Sequence, residues 1–277
     1  MREIDLHVHS TASDGTMSPW DLVKLAKEKS LKAIAITDHD TASGYKEAAL
    51  AGKELGVEVV PGIEISTKCG GPIHILGYGI DPESEELAPV LNWVLEDRDQ
   101  RNRKMAKLMA DDGLPVSYEE MQQRFGSVIG RPHFGQILVE LGLAESINDA
   151  FDRYIEKGRK YYMPRSFLSV ESSIELICHA GGTAVLAHPF QYKRDDEGLR
   201  KLIEHCIESG LGGIECFYSG YSFKQCCYLE CLADEYGLLK TGGSDFHGSN
   251  KPHISLGSGI AEELSIPYSL LESIKRK

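Results

Sequence analysis

His7 and His9 stand two residues apart in Ile4-Asp5-Leu6-His7-Val8-His9, a run whose alternation reads as a strand. Successive side chains on a strand leave opposite faces, so the two imidazoles share a face and can approach one ligand together. Two structural histidines would give the same local pattern. What sets this pair apart is recurrence: Asp38 and His39 in TDHD, Glu64 in GIEIS, His74 in PIHIL, His188 in LAHP, and Asp245 with His247 in GSDFH. Burying so many imidazoles and carboxylates together is costly for every group left unpaired, and divalent cations satisfy them directly. Imidazole with carboxylate suits Zn, Mn or Fe, whereas an all-oxygen set suits Mg or Ca. The lack of cysteine among these residues favours an open catalytic centre over a closed structural one.

The elements that must position these residues alternate along the first 80 positions. A strand over Ile4 to Val8 is followed by a helix opened by Ser18-Pro19, a strand in KAIAITDHD and a helix in GYKEAALAGKELG. Strands in VEVVPGIEIS and GPIHILGYGI complete a βαβαββ order, which argues for a parallel sheet or barrel covered on both faces. Between residues 84 and 168 the period changes. Leu87, Val90, Leu91, Val94 and Leu95 fall at helical spacing and continue through Met105, Leu108 and Met109, and RPHFGQILVELG and SINDAFDRYIEKG add further helices. From VESSIELICHAGG onward the strand–helix rhythm returns. The expected fold is therefore α/β, a barrel of residues 1–83 and 169–277 interrupted by a helical insert, 84–168, that covers the active site. In such barrels catalytic groups gather at the carboxyl ends of the strands, where each candidate is expected.

The composition fits a folded enzyme: 277 residues, 42% hydrophobic and 26% charged. A formal charge of −12 works against capture of long nucleic acid, whose non-specific binding comes from Lys and Arg neutralising phosphates. Seven cysteines without a CxxC pair suggest neither a disulfide framework nor a thiolate zinc site. With no basic leader and no apolar run of bilayer length, the expected location is cytoplasmic. His179, His205 and His253 fall outside the recurring motifs and read as structural. Phe190, Tyr192 and Tyr218 follow strand ends and read as rim residues that could also stack a base.

DLHVHSTASDGT, AITDHDT, PGIEIS, HILGYG, AHP and GSDFHG, in this order, resemble the polymerase and histidinol phosphatase (PHP) family of metal-dependent phosphoesterases. GRPHFGQIL and YMPR in the insert further resemble its stand-alone bacterial members, which act on nucleotide 3′,5′-bisphosphates and the 5′ ends of short RNA. The resemblance implies a distorted (βα)7 barrel holding two or three divalent ions (Mn, Zn or Fe). It implies one ion on His7, His9, Glu64 and Asp245, a second on Glu64, His74 and His188, and a third on Asp14, His39 and His247.

Ions that share ligands lie about 3.5–4 Å apart, where they activate a water and clamp phosphate oxygens. Asp38, His39 and Asp14 are expected to serve the chemical step, with Asp38, or else Asp40, orienting His39. Substrate phosphate beyond the metals calls for cations: Arg131 and His133 in GRPHF at a helix start, then Arg165, and last Arg159. The expected partner is a small phosphorylated nucleotide or short oligonucleotide hydrolysed at phosphorus. The rival substrates are histidinol phosphate or a sugar phosphate, and the rival class is a metal-braced binding module.

Overall fold

The computed structural model describes residues 3–126 and 128–276. Its elements run β1 (Ile4–Val8), α1 (Pro19–Glu28), β2 (Ala33–Ile36), α2 (Tyr45–Leu55), β3 (Glu58–Lys68) and β4 (Pro72–Tyr78). Helices α3 (Leu87–Asp111), α4 (Tyr118–Phe125), α5 (Arg131–Glu140) and α6 (Ile147–Ala150) follow. Then come α7 (Val170–His179), β5 (Thr183–Leu186), α8 (Asp196–Glu208), β6 (Gly213–Tyr218), α9 (Phe223–Glu235) and β7 (Leu239–Gly243). A short β8–β9 hairpin (Ile254–Ser255, Gly259–Ile260) and α10 (Ser269–Lys275) complete the described chain. Among the described residues no helix is long and apolar enough to cross a membrane.

Strands β1 to β7 form one sheet in sequence order. Six run parallel; β4 runs against both β3 and β5. The parallel arrangement expected from the strand–helix rhythm thus fails at β4, for a physical reason. A parallel crossover needs roughly a dozen residues, and only Cys69, Gly70 and Gly71 separate β3 from β4. Gly70, at φ 69°, takes the left-handed conformation that so tight a return requires.

The sheet curls until β1 meets β7: His9 N–H donates to Phe246 O at 2.9 Å and Asp245 N–H to His7 O at 2.8 Å. Gly243 permits this closure, since a Cβ there would stand 2.1 Å from the Cβ of His7. The sequence explains the flanking helices as well. Ser18 caps α1 by accepting from Asp21 N–H, with Pro19 at its first turn, and Gly56 at φ 74° ends α2. Ile34 and Ile36 of β2 pack outward on Leu22, Val23 and Ala48, while Ala33 and Ala35 join Ile4, Leu6, Leu76 and Val185 in another buried cluster.

Helices α3 to α6, with Ile155 just beyond α6, build a core of their own around Met105, Met109, Phe134 and Leu138. Two details differ from the periodicity. A short helix, α4, follows the Ser117 cap, and the helix expected in SINDAFDRYIEKG is α6 continuing into a π-helical turn at Phe151–Ile155.

Candidate metal centre and phosphate cavity

The barrel brings His7, His9, Asp14, His39, Glu64, His74, His188, Asp245 and His247 to one mouth. Most follow the end of a strand, but His7 lies inside β1, Glu64 lies within β3, which overshoots β2, and His74 lies near the amino end of β4. The expected carboxyl-end placement therefore fails for His74. Its strand is reversed, so its beginning reaches the mouth that the other strands reach with their ends.

Glu64 sits at the middle of the cluster. Its Oε1 lies 2.9 Å from both His74 Nδ1 and His188 Nε2. Its Oε2 lies 3.0 Å from His39 Nδ1, 3.3 Å from His9 Nε2 and 3.5 Å from His7 Nε2. His7 Nε2 and His9 Nε2 are 3.1 Å apart, and Asp245 Oδ1 is 3.3 Å from His9 Nε2. Asp14 Oδ1 approaches His247 Nε2 at 3.3 Å. Three groups of donor atoms result: His7, His9 and Asp245; His39, Glu64 and His74; and His9, Asp14, His39 and His247.

The chemistry of this donor set fits divalent cations. The buried Nδ1 atoms of His9 and His188 have no hydrogen-bond partner among the described residues, and that of His39, though 3.0 Å from Glu64 Oε2, is not aligned for a hydrogen bond. Burial alone would raise the pKa of Glu64, but His39, His74 and His7 outweigh it and hold the carboxyl well below its usual range. Asp14 and Asp245 are lowered well below theirs in the same way, by His247 and His39 and by Lys251 and His247. Burial would lower His9, yet Asp245 and Glu64 raise it to about 9, whereas burial and the neighbouring His9 push His247 down to about 4. The cluster pools charges that cations in place of protons would balance.

Buried acids fix these side chains from behind. Glu215 on β6 accepts from His7 Nδ1 at 2.9 Å and from His188 N–H at 2.7 Å, which turns His7 Nε2 toward the centre. Asp5 accepts from His7 N–H, Ser244 N–H and Oγ, and Gly257 N–H, joining β1 to the segment after β7. Tyr218 and Lys251 both donate to Asp245 Oδ2 at 2.6 Å. Asp40, His188 and Asp245 all hold positive φ (56°, 27° and 59°) at this mouth, backbone strain of the kind that gathers at functional sites.

Asp38 does not orient His39 as expected. Its carboxylate accepts from Ser10 N–H (2.8 Å), Ser10 Oγ (2.6 Å) and Ser13 Oγ (2.6 Å), bracing the loop that carries Asp14. Asp40, the alternative, accepts from Ser66 N–H at 2.8 Å and pairs with Arg98 and with Arg165, the latter at 3.2 Å.

A cavity of about 220 Å3 opens beside Asp14, His39 and His74, and Arg98, Arg101, Arg131 and Arg165 line it together with Phe151 and Tyr162. Arg131 lies over the Phe151 ring at 5.2 Å and Arg165 over Phe167 at 4.4 Å. Arg101 is buried, and its Nε has no hydrogen-bond partner among the described residues. Burial, then Arg98, Arg165 and Arg131, depress its pKa well below the ordinary arginine value; Arg165 falls to about 10 through burial and Arg98, against the pull of Asp40. Like charges gathered this way call for an anion.

Of the other expected phosphate contacts, His133 is turned to a structural task. Its Nδ1 accepts from Gly130 N–H at 2.9 Å at the start of α5, its ring stacks on Phe125, and it lies outside the cavity lining. Arg159 is exposed away from the lining. Tyr192 and Tyr218 spend their hydroxyls on Ala187 O and Asp245.

A reversed-strand barrel whose mouth collects imidazoles and carboxylates beside an arginine-lined cavity defines a metal-dependent phosphoester hydrolase. The PHP domain family matches residues 5–210, and the chain belongs to it. It is 36% identical over 257 residues to the 5′-3′ exoribonuclease Rnm of Escherichia coli, covering 91% of this chain and 87% of the relative. It is 33% identical over 250 residues to the 3′,5′-nucleoside bisphosphate phosphatase of Chromobacterium violaceum, covering 89% and 88%. A solved structure of a metal-dependent phosphoesterase from Bifidobacterium adolescentis superposes with a TM-score of 0.86 at 32% identity, covering 98% of this chain and 95% of that one.

Proposed function

We propose that this phosphoesterase removes the 3′ phosphate from nucleotides that also carry a 5′ phosphate, converting pAp to AMP, and acts likewise on 5′-phosphorylated short oligonucleotides. The observation that carries this reading is the four-arginine cavity, which adjoins Asp14, His39 and His74; Asp40, outside its lining, pairs with two of the four arginines and leaves Arg101 and Arg131 to an anion. A simple monoester needs only the metal centre. A second phosphate explains the second charge pool.

His7, His9, Glu64 and Asp245 would hold one divalent ion, Glu64, His74 and His188 a second, and Asp14, His39 and His247 a third, Mn, Zn or Fe suiting the donors. When bound, such ions supply an acidified water and charge stabilisation at phosphorus. The chain does the rest. Arg101 and Arg131 grip the phosphate that does not react, Arg98 and Arg165 are held on Asp40 at the cavity wall, and Phe151 and Tyr162 offer aromatic surface to the sugar and base. Asp38 fixes the loop that carries Asp14, and Glu215 fixes the ring of His7.

Phosphate release should be compared, with added Mn2+, for pAp, a 5′-phosphorylated dinucleotide, histidinol phosphate and a model monoester. The reading predicts preference for the first two. It also predicts that Arg131→Ala lowers kcat/KM for pAp by roughly 10- to 100-fold, the worth of a charged hydrogen bond, and leaves the model monoester within about twofold. Preference for histidinol phosphate, or equal loss on both substrates, would overturn it.

A further inference from the structure

A second cavity, of about 420 Å3, meets the arginine cavity at Pro72 and His74 and extends to His188, with Gly71, Gln191, Tyr192 and Arg194 on its walls. The two cavities open on different ends of the ligand cluster. The arginine cavity faces Asp14 and His39, whereas the second faces His74 and His188, the two imidazoles that both touch Glu64 Oε1. A phosphorus atom seated among these ligands therefore has room for substituents in two directions.

A 3′ phosphomonoester has one organic substituent and needs one such space. A phosphodiester has two. We propose that the second cavity binds the downstream nucleoside of an oligonucleotide, the one joined through its 5′ oxygen to the phosphate under attack. This rests on the nucleotide reading given above and assigns a place to the second nucleoside of its oligonucleotide substrates. In the reaction the oxygen of a water bonds to phosphorus and the bond to the 3′ oxygen of the first nucleotide breaks. That oxygen leaves with a proton from the water, and the bond to the 5′ oxygen of the next nucleotide stays intact. The products are a nucleoside 5′-phosphate and a shorter chain that again begins with a 5′ phosphate. The same bond breaks in pAp, where the second substituent is absent.

The walls suit a nucleoside. The volume falls in the range of about 300–1,000 Å3 usual for small-molecule pockets. Tyr192 is locked in place, its hydroxyl donating to Ala187 O at 2.6 Å and accepting from His74 N–H at 3.0 Å. Arg194 is anchored on the β3–β4 turn by donating to Cys69 O at 2.5 Å. A fixed aromatic ring and a planar guanidinium are surfaces on which any base stacks, which requires no sequence readout. Gln191 adds an exposed amide.

Plugging this cavity separates the two substrates. A Cβ at Gly71 meets nothing within 4 Å and its φ lies outside the left-handed region, so Gly71→Phe asks nothing of the backbone. Gln191→Trp narrows the cavity from another segment. Each holoenzyme variant should be assayed on pAp and on a 5′-phosphorylated trinucleotide. Binding of a labelled trinucleotide with a non-hydrolysable methylene phosphonate linkage should be followed by anisotropy. The expected result is a fall of about 10- to 100-fold in trinucleotide kcat/KM and affinity, the worth of one stacked base, with pAp hydrolysis within about twofold of the parent. Unchanged trinucleotide turnover, or parallel loss on both substrates in both variants, would overturn the assignment. Failure of the parent enzyme to hydrolyse pAp would instead overturn the nucleotide reading beneath it.

Discussion

Glu64 touches four imidazole nitrogens within 3.3 Å and a fifth at 3.5 Å, and among the described residues no other side chain at the mouth is shared so widely. Its neighbours show how unevenly such a centre is written in a sequence. The histidines and acids in the strand-end motifs were legible because their polarity breaks apolar runs, and the fold does bring them together. Glu215 was missed, although an acid inside GGIECFY is the same kind of interruption. Arg98 and Arg101 were missed for another reason. They continue the series Leu87, Leu91 and Val94 toward Met105 and Met109, occupying positions where periodicity calls for apolar residues. A charge in an apolar register is the signal that would have found them. Glu215→Gln keeps the shape but weakens the acceptor for His7, and should reduce metal affinity by roughly 10- to 100-fold, measured by chelator competition. Unchanged affinity would remove Glu215 from the centre.

At the scale of elements, Asp40 pins α3 and the segment before α7 to the barrel through Arg98 and Arg165. Burial would raise its pKa, but the two guanidiniums outweigh that and depress it below the carboxylate range. A depressed folded-state value means the carboxylate stabilises the protein above its unfolded pKa of about 3.9, and that this contribution is lost as pH falls through that value and below. Asp40→Asn should therefore destabilise the protein at pH 7 by about 3–5 kcal/mol, since it strands two buried cations. Its stability should also depend less steeply on pH between about 5 and 3 in thermal denaturation. A parallel pH profile for parent and variant would contradict this role. The strand–helix order was readable from periodicity, but the direction of β4 was not. Period-2 alternation carries no direction, and only the three-residue spacer, with Gly70 at positive φ, encodes the reversal.

For the whole molecule, the formal charge of −12 and the arginine cavity belong together. On the proposed reading the acidic surface repels long polyanions and the recessed basic pocket admits a small one, a selection by size as well as charge. The buried acid–imidazole mouth also links metal to stability. Removing divalent ions with a chelator should lower Tm by several degrees at pH 7.5, and added Mn2+ should restore it in a concentration-dependent way, as mass action requires. A Tm indifferent to chelator and to Mn2+ would mean that the mouth does not hold metal.

On the proposed reading the arginine cavity holds a phosphate distant from the one removed. The most direct measurement is kcat/KM of the Mn2+-loaded protein for pAp against that for 3′-AMP, which differs only in lacking the 5′ phosphate. A ratio of roughly 100 or more is predicted, the worth of two charged contacts at the distal phosphate. A ratio near one would contradict it.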